Sequence, residues 1–274
     1  MFAYSDWNFF CKELSKNKKQ LLIANELSKL NEDNFVLIKH DVETNAKKAL
    51  RIAKIESNYN IRSTYYVQSY LLNDESNLEI FREIQDMGHE VTYHYDVLDS
   101  NNGDWTAAEL EFDETLKKFK DLGFDVMTVC PHGNPVMNRN GWSSNKDFFR
   151  KKSIKEKYSN ILDIVVDFPS LSKNKIAYVS DAGYRWNLIT DIANNDNTEA
   201  PNVPLKGIKG LVELLNKEQS LIISSHPHRW VKFRFLLLLR IYMFKVIRST
   251  VNLLSRIPLV KRILSKFYFL AKKL

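Results

Sequence analysis

A chain of 274 residues is long enough for one large domain or two small ones. Hydrophobic residues make up 44% and charged residues 27%, which excludes disordered and collagen-like classes. Two cysteines, Cys11 and Cys130, exclude a disulfide framework and a four-cysteine zinc site.

The formal charge of +7 is unevenly spread. Residues 231–274 hold eleven Lys or Arg and no Asp or Glu, so residues 1–230 are net −4. A mildly acidic body with a basic tail argues against a nucleic-acid partner. Met1 to Trp7 lacks the basic and apolar runs of a signal peptide, and no stretch approaches about 18–20 uninterrupted apolar residues. The expectation is a cytoplasmic protein with reduced thiols.

In chain order, Phe35 to Glu43 predicts a buried strand ending in polar residues, and Ala46 to Asn58 a helix. Arg62 to Gln68 is rich in β-branched and aromatic residues and predicts a second strand. Leu78 to Met87 predicts a helix stopped by Gly88, and His89 to Tyr95 a third strand. Ala107 to Leu122 is another helix, capped by Gly123, followed by a strand over Val126 to Cys130. Ile161 to Val166, Ile176 to Ser180 and Leu221 to Ser225 read as further buried strands, with a helix over Gly207 to Lys217 before the last. Thr190 to Lys206, rich in Asn, Asp and Pro, predicts a mobile loop. Strand–helix alternation implies parallel strands with helices outside them, and about seven strands in about 200 residues predict a closed or nearly closed barrel.

All six histidines, His40, His89, His94, His132, His226 and His228, fall at or just beyond predicted strand ends. Asp181 follows the strand over Ile176 to Ser180. Imidazoles and carboxylates converging on one barrel end are what a divalent metal site or an acid–base pair needs.

The order His40-Asp-Val-Glu43, Gly88-His-Glu-x-x-x-His94, Pro131-His-Gly133, Asp181-x-Gly-x-x-Trp186 and His226-Pro227 resembles the NodB-type polysaccharide deacetylases of carbohydrate esterase family 4. It is most similar to the branch found beside bacterial surface-polysaccharide genes. The resemblance covers Phe35 to Trp230 and implies a distorted (β/α)7 barrel. The implied reaction removes an acetyl group from a sugar with one divalent metal, commonly zinc.

The resemblance implies Asp41 as the base that activates water and Glu43 as a metal ligand. An alignment slipped by one makes Asp41 the ligand instead. His94 matches the first histidine of the family's metal pair, but Leu98 stands where the second is expected. His132 is the candidate for the missing imidazole, a loop-stabilising hydrogen bond being its other use. The arginine of the family's third motif, which orients the base, is absent from Cys130-Pro-His-Gly133. His226 matches the general acid, Asp181 the carboxylate that tunes it, and Trp186 its hydrophobic wall. His228 and Trp230 are further substrate-binding candidates, His228 being equally a loop residue packed on Trp230. The alternative to an enzyme is a degenerate barrel that binds a carbohydrate or an assembly partner.

Other polar residues have plainer readings. His89 reads as a structural strand-start residue and His40 as a core histidine in the barrel wall. Asp163 and Asp167 read as solvated turn residues, and Cys130 as a small buried hydrophobe. Ser224 and Ser225 lie in no Gly-x-Ser-x-Gly elbow, and no glycine-rich phosphate loop is present.

The expected domains are a barrel over 1–230 and a tail over 231–274. The tail reads as two basic amphipathic helices broken at Pro258, the pattern of a segment lying in an anionic membrane interface, a helix packed on the barrel or on a partner being the alternative. The expected substrate is thus an acetylated sugar or lipid-linked oligosaccharide at the inner face of the membrane.

Overall fold

The computed structural model describes residues 2–29, 34–134, 137–171, 176–194, 202–217, 220–233, 235 and 242. The chain opens with α1 (Tyr4–Leu14) and β1 (Gln20–Leu22). Then come β2 (Phe35–Val42), α2 (Ala46–Ser57), β3 (Thr64–Val67), α3 (Glu75–Asp86) and β4 (Glu90–Tyr95). The short α4 (Val97–Ser100) precedes α5 (Trp105–Asp121) and β5 (Thr128–Pro131). The second half has α6 (Asp147–Arg150), α7 (Lys152–Lys157), β6 (Leu162–Asp163), α8 (Phe168–Leu171) and β7 (Ala177–Ser180). It ends with β8 (Asn187–Leu188), β9 (Val203–Pro204), α9 (Gly207–Leu215) and β10 (Leu221–Ser225). Gly88 and Gly123 follow α3 and α5 with φ of +88° and +89°, the left-handed stop that a residue with a Cβ resists.

The strands run in the order β6-β5-β4-β3-β2-β10-β7-β8-β9, with β1 beside the start of β2. Neighbours from β6 to β7 along this path are parallel, and β8 and β9 add an antiparallel edge. Of the closed or nearly closed barrel expected from the sequence, full closure is therefore corrected. Among the described residues the hydrogen-bonded path has two ends, at β6 and β9. Strand β6 stops after two residues because the Asp163 carboxylate accepts from the backbone N–H groups of Val165 and Val166 and turns the chain. Part of the predicted loop over Thr190 to Lys206 is ordered too, since Val203 and Pro204 pair with Leu188 and Asn187.

Side chains of β2 alternate between two environments, as the strand period of two requires. Val36, Ile38 and Val42 face the helices. His40 shares that side, where it bonds Glu56 of α2. Phe35 and Leu37 face the inside with Leu22, Leu27, Tyr66, Cys130, Ile164, Tyr178 and Ile222. This apolar plug closes one end of the sheet's interior, and Lys39 and Asp41 continue the same column toward the other end.

Helix α1 was not expected from the sequence. Trp7, Phe10, Cys11 and Leu14 recur at helical spacing and are buried. They pack with Val36, Val179, Leu211, Ile223 and Trp230, in the outer layer between α2 and α9. Tyr4 N–H donates to Val231 O at 3.1 Å and Val231 N–H to Phe2 O at 2.9 Å, tying the start of the chain to the segment after β10.

Among the described residues no helix is long and apolar enough to cross a membrane. The amphipathic helices expected over 231–274 lie outside the described residues, apart from 231–233, Phe235 and Tyr242.

Candidate functional site

In-register parallel pairing brings the strand ends together. Ser225 pairs with His40 and Ser224 with Ser180, so His226 follows beside Asp41 and Asp181 follows beside Ser225. His94 pairs with Cys130, which places His132 just beyond it on the next strand. Asp41, Glu43, His94, His132 and His226 are all buried.

The residues divide into two groups that meet. In the first, His132 Nε2 is 3.4 Å from Glu43 Oε1, and the His94 and His132 rings are edge to face with centroids 5.3 Å apart. One ligand atom each from Glu43, His94 and His132 lies within 4.8 Å of the others. A tetrahedral zinc site with arms of about 2.0–2.1 Å has ligand–ligand edges of about 3.3–3.4 Å, so the Glu43–His132 edge already has that length.

His94 presents one ring nitrogen with no hydrogen-bond partner. Its Nδ1 lies 2.9 Å from Cys130 O, an atom that only accepts, so Nδ1 carries the proton and Nε2 the lone pair. Nε2 is buried with no hydrogen-bond partner. Burial outweighs the pull of Asp41 and lowers the imidazole to about 3, which keeps it neutral. A buried acceptor left open in this way fits a metal ion.

The second group is an imidazole on a carboxylate. His226 Nδ1 is 2.6 Å from Asp181 Oδ1, and the backbone N–H of His226 and the hydroxyl of Ser225 each donate to Asp181 Oδ2 at 2.9 Å. Arg229 Nη1 donates to Asp181 Oδ1 at 2.6 Å. Burial would raise the Asp181 carboxyl, but Arg229 and His226 overcome it and hold the group at about 2. His226 Nε2 then points to the first group, 3.7 Å from Asp41 Oδ2 and 3.9 Å from Glu43 Oε1.

Asp41 is gripped from below. Lys39 Nζ donates to Oδ1 at 2.6 Å and Oδ2 at 2.8 Å, and Ser224 Oγ to Oδ2 at 3.3 Å. Burial would raise the carboxyl, yet Lys39 outweighs it and keeps Asp41 well below the usual carboxylate range.

Several expectations need correction. Trp186 and Trp230 do not face the site as substrate contacts. Both are sealed on the helical side in a cluster with Phe2 and Trp7, because neighbouring positions near a strand end face opposite sides. Trp230 touches the site only indirectly, through its indole N–H on Ser225 Oγ at 2.9 Å. His228 does stand by the site, with its ring centroid 5.8 Å from that of His226. Burial, with Arg229 adding to it, lowers His228 to about 3. Leu98, at the position where the family's histidine is expected, is buried in the aromatic core with Tyr95, Phe112 and Phe148.

The plainer readings fare unevenly. His89 is structural, its Nδ1 accepting from Ser63 N–H at 3.0 Å. Asp163 is not solvated: it is fully buried, accepts from Tyr95 OH at 2.6 Å and is raised to about 6 by burial. Asp167 accepts from Lys155 and from Asp163 N–H, so it too is a structural bond. Cys130 is more than an apolar filler, since Lys39 Nζ donates to its Sγ at 3.1 Å.

Sequence reasoning missed Lys39, Arg229 and a hub at Asp99. Arg139 forks onto both Asp99 oxygens at 2.8 and 2.7 Å, and Trp142 Nε1 and Asn145 Nδ2 also donate to them. Asn145 Nδ2 donates to His132 O at 2.8 Å, which fixes the backbone that presents His132. A lysine in the middle of an apolar strand was the visible signal for Lys39.

No family model matches the chain, and no curated protein matches it. Among solved structures it is similar to a family 4 carbohydrate esterase from Streptomyces lividans in complex with acetate. That pair has 16% identity and a TM-score of 0.42, over 85% of this chain and 90% of that one. It is similar to a family 4 carbohydrate esterase pseudoenzyme from Bacillus anthracis at 13% identity and TM-score 0.40, over 77% of this chain and 60% of that one. A peptidoglycan deacetylase from Bacillus subtilis gives 11% identity and TM-score 0.34, over 81% and 96%. These likenesses are low in identity and TM-score, and the functional reading rests on the side chains.

Proposed function

We propose that this chain is a metal-dependent hydrolase that removes an acetyl group from a sugar, free or lipid-linked, in surface-polysaccharide biosynthesis. One observation carries the reading. His226, oriented by Asp181 at 2.6 Å, aims its free nitrogen within 3.9 Å of both Asp41 and Glu43 at the mouth of the Glu43–His94–His132 group.

Glu43, His94 and His132 would hold the metal, zinc being the ion that suits two imidazoles and one carboxylate. Such an ion supplies polarisation of the acetyl carbonyl and a more acidic water. Asp41, ionised by its bond to Lys39, takes the proton as the water oxygen bonds to the acyl carbon. His226 Nε2 gives a proton to the sugar nitrogen or oxygen as the bond to the acyl carbon breaks, and Asp181 stabilises the ring while it is charged. Acetate and a free amine or hydroxyl leave.

The test is acetate release from an acetylated chitooligosaccharide. Activity lost on Asp41→Asn and on chelation, and restored by zinc, supports the reading; full activity after chelation overturns it. A second reading, a barrel that binds a carbohydrate or partner without catalysis, is favoured by Leu98, which stands in the core where a ligand is expected. About one zinc per chain favours the enzyme, and no bound divalent metal favours the binding module. The proposed location is the inner face of an anionic membrane, held there by the eleven basic residues of 231–274.

A further inference from the structure

The deacetylase reading takes from the ammonium buried beneath Asp41 only the charge that keeps the base ionised, and its grip on the carboxylate does more. Lys39 is 1% exposed, in the interior column of β2 one step below Asp41. Its Nζ touches Asp41 Oδ1 at 2.6 Å, Asp41 Oδ2 at 2.8 Å and Cys130 Sγ at 3.1 Å, and lies 5.3 Å from the centre of the Tyr66 ring. Burying an ammonium is costly, and apolar side chains of similar volume would fill this column more cheaply. A lysine kept there points to the group it grips.

We propose that Lys39 is the positioning residue of this site, its ammonium clamping both oxygens of Asp41 so that the carboxylate serves as base and not as metal ligand. The role rests on the deacetylase reading and deepens it. Among the described residues two groups of donors lie close enough to hold an ion, Asp41–His94–Cys130 and Glu43–His94–His132. Lys39 bonds two of the three members of the first group, so an ion there would stand against a fixed positive charge. In the second group Glu43 and His132 already approach to 3.4 Å, and the open Nε2 of His94 serves it. Lys39 thereby divides the labour of two carboxylates placed two residues apart: Asp41 is held for proton transfer, and Glu43, 3.4 Å from His132, sits with the imidazoles that would hold the ion.

Lys39→Met in the full chain tests this, with kcat, KM and bound zinc measured alongside wild type and Asp41→Asn. The expected result is a fall in kcat of about 100-fold or more with KM within about threefold and zinc unchanged, the signature of an effect on the chemical step. In the Asp41→Asn background the same change is expected to cost nothing further, because Lys39 acts through Asp41. Wild-type kcat in Lys39→Met, loss of zinc, or an equal further loss in the Asp41→Asn background overturns the role while leaving the deacetylase reading intact. If wild type releases no acetate, both fall together. Should Lys39→Met alone not fold, the Lys39→Met/Asp41→Asn pair leaves no charge unpaired and is expected to fold and to bind one zinc. Failure of that pair to fold makes Lys39 a structural residue and overturns the proposal.

Discussion

Arg229 and His226 share one carboxylate: Arg229 Nη1 and His226 Nδ1 each lie 2.6 Å from Asp181 Oδ1. The guanidinium is always charged, so Asp181 stays ionised whether or not the imidazole has given up its proton. The carboxylate can therefore orient the ring throughout a cycle of proton transfer without becoming protonated itself.

Replacing Asp181 removes that orientation. Asp181→Asn is expected to lower acetate release by about 10²–10⁴-fold, the usual worth of a positioned acid–base group. It also changes stability against pH. The carboxyl is fully buried and held at about 2, below its ordinary value of about 3.9 in an unfolded chain. Its stabilisation is thus fully present above about pH 4 and lost as pH falls through about 2, an effect of about 2–3 kcal/mol. Urea midpoints between pH 6 and 3 should fall for wild type and fall less for Asp181→Asn.

Glu56 is a second buried carboxylate with a purely structural task. Its Oε1 accepts from Trp7 Nε1 at 3.1 Å and lies 2.7 Å from His40 Nε2, and its Oε2 accepts from Tyr65 OH at 2.7 Å. One residue therefore joins α1, β2, α2 and β3. Burial would raise its carboxyl, but the His40 contact outweighs burial and lowers it. Glu56→Gln sets an amide N–H against at least one of these donors and is expected to destabilise by about 3 kcal/mol. In a chain of this size that is about 6–12 °C in Tm, with zinc content and kcat of the folded fraction unchanged.

Leu98 stands apart from the Glu43–His94–His132 group. The side chain lies in the aromatic core, and His132, presented from the end of β5, comes within 3.4 Å of Glu43. Leu98→His is thus expected to add no metal affinity and to destabilise the fold by about 2–5 kcal/mol, since a polar ring enters an apolar core. His94→Ala and His132→Ala are each expected to abolish the rise in Tm that zinc gives wild type. A tighter zinc site in Leu98→His would mean that position 98 reaches the ion.

Strand periodicity made much of this legible. Asp41 and Glu43 are two apart and both approach His226, while His40 between them turns to Glu56 on the helical side. The same rule, applied one step further back, also puts Lys39 inside, but a lone lysine in an apolar run reads as an interruption until its partner is seen. Trp186 and Trp230 stand near site residues in sequence, yet sequence proximity does not fix the face. Their neighbours are Phe2, just before the N-terminal helix, and Trp7 within it, both in the stretch that strand-by-strand reading from Phe35 left out. Ring closure was illegible for another reason. A ladder needs strand length, and the residues that end β6 do so through side-chain bonds from Asp163 to the backbone ahead.

The basic tail makes the last prediction, because it joins the proposed location to the proposed substrate. Residues 231–274 carry a charge of +11 on a chain whose remainder is net −4. Phe233 and Phe235, shortly after β10, are exposed and stacked with ring centroids 6.0 Å apart. Each Lys or Arg near an anionic leaflet contributes about 1 kcal/mol of attraction, and inserted aromatic rings add apolar burial. The attraction is electrostatic at long range, so salt should weaken it. Full-length protein is expected to float with vesicles containing phosphatidylserine at low salt and to be released in large part at about 0.5 M salt, while a chain ending at Trp230 stays at the bottom of the gradient. Removing the tail should leave acetate release from a soluble oligosaccharide unchanged and lower it only when the acetylated sugar is presented on a vesicle. Equal flotation of the two chains would assign the tail to packing or to a protein partner and remove the membrane from the account.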